Sequence, residues 1–119
     1  MLILDSQNQY EKGTELLRSG HYEEALQSLN KAIDENPEDA NAYVARGIAF
    51  LRLQNREKAI SDFNRALEIN SRCAEAYYNR GYASIDLHDY EKAIEDFKEA
   101  ARLGLDPAKE YLMSLGIPW

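Results

Sequence analysis

The chain has 119 residues, of which 45% are hydrophobic and 29% charged, with a formal net charge of −7. That composition fits one globular, helix-rich domain and excludes a disordered chain, and the acidic balance disfavours nucleic acid, whose phosphates need clustered Lys and Arg. The single Cys73 can form no internal disulfide, so a reducing compartment, the cytoplasm, is expected.

The first four residues are apolar, but the chain turns polar at Asp5, too soon for a signal peptide or a membrane span. From there helical spacing predicts seven helices in chain order. The first, over 6–19, stops at Gly20 and His21, and a second follows over 22–35. Asn36, Pro37, Glu38 and Asp39 separate it from a third over 40–53, in which Tyr43, Gly47, Phe50 and Leu51 fall at helical spacing. Gln54 and Asn55 interrupt, and Ala59, Ile60, Phe63, Ala66 and Leu67 resume the pattern over 56–69. A break over 70–73 leads to a fifth helix over 74–87; His88 and Asp89 separate it from a sixth over 90–103. After Gly104 comes a short seventh over 107–115. Gly, Asn, Asp and Pro end helices by permitting left-handed geometry or withholding an amide. No strand pattern competes.

The helices pair off at a fixed interval. Gly13, Gly47 and Gly81 stand 34 residues apart, as do Ala25, Ala59 and Ala93, and again Ala32, Ala66 and Ala100. Such a period marks a solenoid, each unit burying its apolar face only against its neighbours. Glycine inside a helix costs roughly 1 kcal/mol relative to alanine. The glycines are therefore expected where the two helices of a unit meet, with Ala25, Ala59 and Ala93 opposite. The reading is an all-α α-solenoid, one domain over 1–119, with units at 6–39, 40–73 and 74–107. Over 107–119, Ala108, Tyr111, Leu112 and Leu115 share one face and Lys109, Glu110 and Ser114 the other, the pattern of a helix that caps the last unit.

These columns resemble the tetratricopeptide repeat (TPR) family, whose pattern runs W-x2-L-G-x2-Y, A-x3-F, A, P. The second unit matches with Tyr43, Gly47, Phe50, Ala59, Phe63 and Ala66, and the third with Tyr77, Gly81, Ala93, Phe97 and Ala100. The first is looser, with Gln9 in the aromatic column and Leu16 and Leu29 in place of rings; a polar Gln9 suits a terminal unit that faces water. Lys12, Arg46 and Arg80 replace the usual Leu, Ser71 replaces the closing Pro, and Pro107 comes two residues late.

The first helix of each unit carries a second apolar stripe beside the signature one, rotated by about 100°. It reads Tyr10, Thr14 and Leu17, then Val44, Ile48 and Leu51, then Tyr78, Tyr82 and Ile85. The resemblance implies that this stripe faces a concave groove able to hold an extended peptide or a partner helix. Burial in the stack is the competing reading; the signature positions already supply a core-facing stripe, which favours the groove. Arg18 and Arg52 rim the first two units and Glu75 and Asp86 the third, which suits a ligand of uneven charge. TPR domains that grip acidic chaperone tails use a carboxylate clamp of Lys, Asn and Arg. The clamp places here hold Tyr10, Thr14, Ala45, Glu75 and Asn79, so that ligand is disfavoured.

Little else suggests chemistry. His21 and His88 lie in turns between helices, Cys73 lacks neighbouring ligands in the sequence, and no cofactor or metal pattern occurs. Glu57, Asp62, Asp96 and Glu99 are expected as solvated surface, interleaved with Lys and Arg. Lys12, Arg46 and Arg80 form a cationic column whose stems are expected to cover the inter-helix seam while their heads meet carboxylates of the second helix. Nothing combines a nucleophile, a base and an oxyanion donor, so an enzyme is not expected. The chain reads as a protein-binding adaptor, with self-association, by stacked terminal units or by the Ile117, Pro118 and Trp119 tail, as the alternative.

Overall fold

Each break in the sequence ends a helix. The computed structural model of the chain contains α1 (Leu2–Arg18), α2 (Tyr22–Glu35), α3 (Ala40–Arg52), α4 (Arg56–Ile69), α5 (Ala74–Asp86), α6 (Tyr90–Arg102) and α7 (Asp106–Ser114). The structure describes residues 2–119, with side chains from Gln7 onward, and no strand occurs among them. The first helix starts earlier than expected, because neither Gly nor Pro interrupts the leading segment.

Five of the seven helices end in the same way. After α1, α3, α5, α6 and α7 one residue turns left-handed: Gly20 (φ 82°), Gln54 (66°), His88 (62°), Gly104 (99°) and Gly116 (68°). The following amide then reaches back to close the last turn, as His21 N to the Leu16 carbonyl (2.8 Å), Asn55 N to Phe50 (2.8 Å) and Asp89 N to Ser84 (2.8 Å). This is the Schellman closure, which satisfies carbonyls a helix end would otherwise leave unpaired. Helices α2 and α4 end instead at Asn36 and Asn70, with φ of −140° and −139°. There the Asn70 side chain accepts from Arg72 N at 3.0 Å. Asp39, Asn55 and Asp89 accept backbone amides at the starts of α3, α4 and α6.

Within each unit the two helices meet at the glycine. A Cβ at Gly47 would lie 2.5 Å from Phe63 Cε1, at Gly13 2.6 Å from Leu29 Cγ, and at Gly81 3.0 Å from Phe97 Cε1. The nearest side chains to the glycines are thus those of the Leu29, Phe63 and Phe97 column, ahead of Ala25, Ala59 and Ala93. Those alanines are buried all the same, and Leu29, Phe63 and Phe97 are wholly buried. The ring needs the room that the absent Cβ leaves. Tyr43 Oη donates to the Pro37 carbonyl (3.1 Å) and Tyr77 Oη to the Ser71 carbonyl (3.2 Å), so each ring pins the turn before its own helix. Ser71 serves as well as proline here because the acceptor is main chain. Gln9 is half-buried with its amide oxygen shielded, so it is not the water-facing residue expected.

Between units the stack is tied by arginines. Arg46 on α3 donates twice to Asp62 on α4 (2.9 and 2.7 Å) and once to Asn30 on α2 (3.1 Å). Arg80 repeats this one unit later with Asp96 (2.9 and 2.8 Å) and Asn64 (2.8 Å). Hydrogen bonding to these carboxylates raises both arginine pKa values above the ordinary one. The cationic heads meet carboxylates as expected, but Asp62 and Asp96 are only 5% and 7% exposed, not solvated surface. A two-pronged guanidinium makes that burial tolerable.

Helices α1 and α3, and α3 and α5, also touch across units, whereas α2, α4 and α6 do not pack on one another comparably. The stack, 48 × 25 × 22 Å, therefore curves toward its α1, α3 and α5 side. Helix α7 closes the far end: Ala108 and Leu112 are fully buried against Phe97, Ala100 and Ala101, and the Tyr111 ring lies 4.8 Å from that of Phe97. Leu115, expected on this buried face, is exposed.

Gly47→Ala should lower stability by about 1–3 kcal/mol in denaturant titration, because overpacking against Phe63 outweighs the gain in helix propensity, and Gly81→Ala should cost less. Gln54→Gly and His88→Gly remove left-handed strain and should each stabilise by about 1 kcal/mol, read from the same titration. Deleting residues 106–119 uncovers Phe97, Ala100 and Ala101; light scattering should show association, or calorimetry a lowered melting temperature.

Candidate functional site

The curvature sets α3 and α5 side by side, and a cleft of about 560 Å³ runs between them. Ile48 and Leu51 line it from α3, Tyr78 and Tyr82 from α5. Arg52 and Asp86 line it as well. Two stripe residues and one rim residue from each of these two units thus line one cleft. Gln54 and Asn79 also line the cleft. Sequence reasoning did not assign them to the stripe: Gln54 lies in a turn, and Asn79 is one residue off the stripe, where polar character carries no periodic signal.

Tyr78 and Tyr82 form the more elaborate wall. Tyr78 Oη donates to Tyr82 Oη (3.3 Å), and the rings meet edge to face at 5.0 Å. Both contact the buried Phe97 ring, at 5.7 and 5.4 Å, and Tyr82 also reaches Tyr111 at 6.2 Å. Burial, and the hydrogen bond to Tyr82, push the Tyr78 pKa up to about 12, so it keeps its donor proton at neutral pH. Tyr82, 40% exposed, presents its ring to solvent while α6 and α7 support it from behind.

The remaining stripe residues lie elsewhere. Val44 is buried in the central core and contributes little surface. Tyr10 and Leu17 pack beside Ala25, Leu29 and Ala45, and burial raises the Tyr10 pKa. Thr14 donates its hydroxyl to the Glu11 carbonyl (2.9 Å), and Ile85 packs toward the last core cluster. At the rim, Arg18 pairs with Glu15 on its own helix (2.7 Å), Glu75 is exposed, and Asp86 lies 3.4 Å from Arg56.

The chemistry-bearing side chains stay apart. His21 Nδ1 sits 2.9 Å from Ser19 Oγ, and His88 Nδ1 sits 2.9 Å from Tyr90 Oη in a different turn. Cys73 is buried at the start of α5, and burial pushes its thiol pKa up, away from thiolate reactivity. Among the described residues no group of three or more His, Cys, Asp and Glu could hold a metal ion, and no helix is long and apolar enough to cross a membrane.

No match is found among the curated proteins. Solved structures are similar. The TPR domain of Arabidopsis OM64 superposes with a TM-score of 0.87 at 28% identity, over 96% of this chain and 98% of that one. The first TPR of Spaghetti (RPAP3), bound to the HSP90 peptide SRMEEVD, gives 0.82 at 27% identity, over 92% and 94%. The TPR2B domain of yeast Sti1, in its pHsp70 complex, gives 0.83 over 93% and 89%, and at 23% identity it speaks for the fold alone. The tetratricopeptide repeat family model matches residues 10–72 and 44–110. With paired helices stacked in register and that match spanning most of the sequence, the chain belongs to the tetratricopeptide repeat family.

Proposed function

We propose that this chain is a cytoplasmic, non-enzymatic adaptor that binds an extended peptide or a helix of another protein in the cleft between α3 and α5. The observation that carries the reading is the convergence of Ile48, Leu51 and the supported Tyr82 ring with Arg52 and Asp86 in one cleft. Apolar walls supply affinity, and the two charges orient the ligand. TPR domains are protein-interaction modules, and the Spaghetti domain is similar to this one and holds a peptide.

The ligand differs in kind from an acidic chaperone tail. Ala45 is buried beside Ala25 and Leu29, Asn79 spends its amide on the Glu75 carbonyl (2.8 Å), and Glu75 is an anion. No cation stands at those places to hold a terminal carboxylate. Self-association is the second reading, favoured by Met113, Leu115 and Trp119, exposed at one end of the stack. The tail is partly committed already, since Ile117 packs back on the core and its amide binds the Leu112 carbonyl (2.9 Å).

Peptides selected from a random display library against the folded chain provide the probe. Leu51→Glu sets a charge in the apolar wall and should weaken them more than tenfold by fluorescence anisotropy, about 1.4 kcal/mol or more, while the chain stays folded. SRMEEVD should bind poorly in the same assay. An unfolded Leu51→Glu would assign the stripe to the core, and intact binding with intact folding would remove the cleft as the site. A dimer in light scattering that Trp119→Ser dissolves would favour the second reading.

A further inference from the structure

A second pocket, of about 460 Å³, lies on the other face of α5, between α4 and α6. The 34-residue period explains it. In the second unit the Phe50 ring has two cations beside it, with Arg46 Cζ 6.0 Å and Lys58 Nζ 5.6 Å from its centroid. One period on, Arg80 and Lys92 recur and line the pocket, but Ser84 replaces the ring. Arg80 keeps its other aromatic neighbour, Tyr77, at 5.5 Å, as Arg46 keeps Tyr43 at 5.5 Å. Ser84 is buried at the pocket's floor, Ile60 forms an apolar wall, and Leu87, 43% exposed, marks its mouth. The second unit thus displays what the third unit lacks.

We propose that this pocket takes an aromatic side chain presented by a partner protein, seated beside Ser84 where Phe50 sits in the preceding unit. Stacking between a ring and flanking cations favours aromatic over aliphatic occupants. The ring should be neutral, because the local cations are already matched: Arg80 is bonded to Asp96, and Lys92 Nζ lies 3.8 Å from Asp89 Oδ2 with Glu95 also lining the pocket. An anionic ligand would meet those carboxylates. The exposed mouth admits a ring carried on a main chain. This site shares no lining residue with the cleft between α3 and α5, so the two stand or fall separately.

The test titrates the full chain, with labelled Ile and Leu methyls, against N-acetyl-tryptophanamide, N-acetyl-leucinamide and indole. Saturable shifts at Ile60 and Leu87 are expected with the tryptophan amide and at least fivefold weaker binding with the leucine amide. Ser84→Phe should fill the pocket from within, raise the melting temperature and abolish the shifts. Lys92→Met, at an exposed position, should weaken binding severalfold without affecting folding and carries the test if Ser84→Phe does not fold. Leu51→Glu should leave these shifts intact, which separates this result from that of the cleft. Absent saturation, equal response to the leucine amide, undiminished binding by folded Ser84→Phe or by Lys92→Met, or binding of indole alone would each overturn the proposal. So would concentration-dependent shifts without ligand that vanish in Trp119→Ser, which would make a second copy the occupant.

Discussion

Everything in this stack hangs from the distance at which the two helices of a unit cross, and that distance is fixed by a missing methyl group. Gly47 and Gly81 let the Phe63 and Phe97 rings lie against bare backbone, so the rings are wholly buried without forcing the helices apart. The same rings then do a second task. Phe97 is the inner member of the aromatic group that holds Tyr78, Tyr82 and Tyr111, so the packing of one helix pair supports both the cleft wall and the capping helix.

Much of the architecture is legible in the sequence because it is periodic. Glycine and alanine columns at one interval give the helix pairing, and Gly, Asn and Pro give the ends, so most boundaries agree within a residue. The identity of the glycine's partner is not legible in this way. Alanine and phenylalanine columns share the period, and only side-chain reach decides that the ring comes nearest to the gap. Asp62 and Asp96 mislead for a related reason. A carboxylate among lysines and glutamates reads as surface, and its burial depends on an arginine sixteen positions away that only the folded pair brings within reach.

The stripe divides along the same line. Ile48, Leu51, Tyr78 and Tyr82 reach the cleft, whereas Val44, on the same helical face, is covered by the core. Helical spacing places residues on a face but does not say how far along the helix a neighbour covers that face. Tyr10 and Leu17 pack beside the first unit's core, so the first unit adds less to the cleft than its apolar count suggests.

The arginine bonds also give the stack a direction. They run from Asn30 through Arg46 to Asp62, and from Asn64 through Arg80 to Asp96, each spanning three helices. The leading hairpin has no counterpart for its own seam, since Ser28 stands where the later units place a carboxylate, and Lys12 cannot form the two-pronged bond. Neighbour-coupled stacks yield at their least anchored end. Within this chain α1 and α2 should therefore exchange their amide protons before the later units, which are laced together by guanidinium groups and covered by α7.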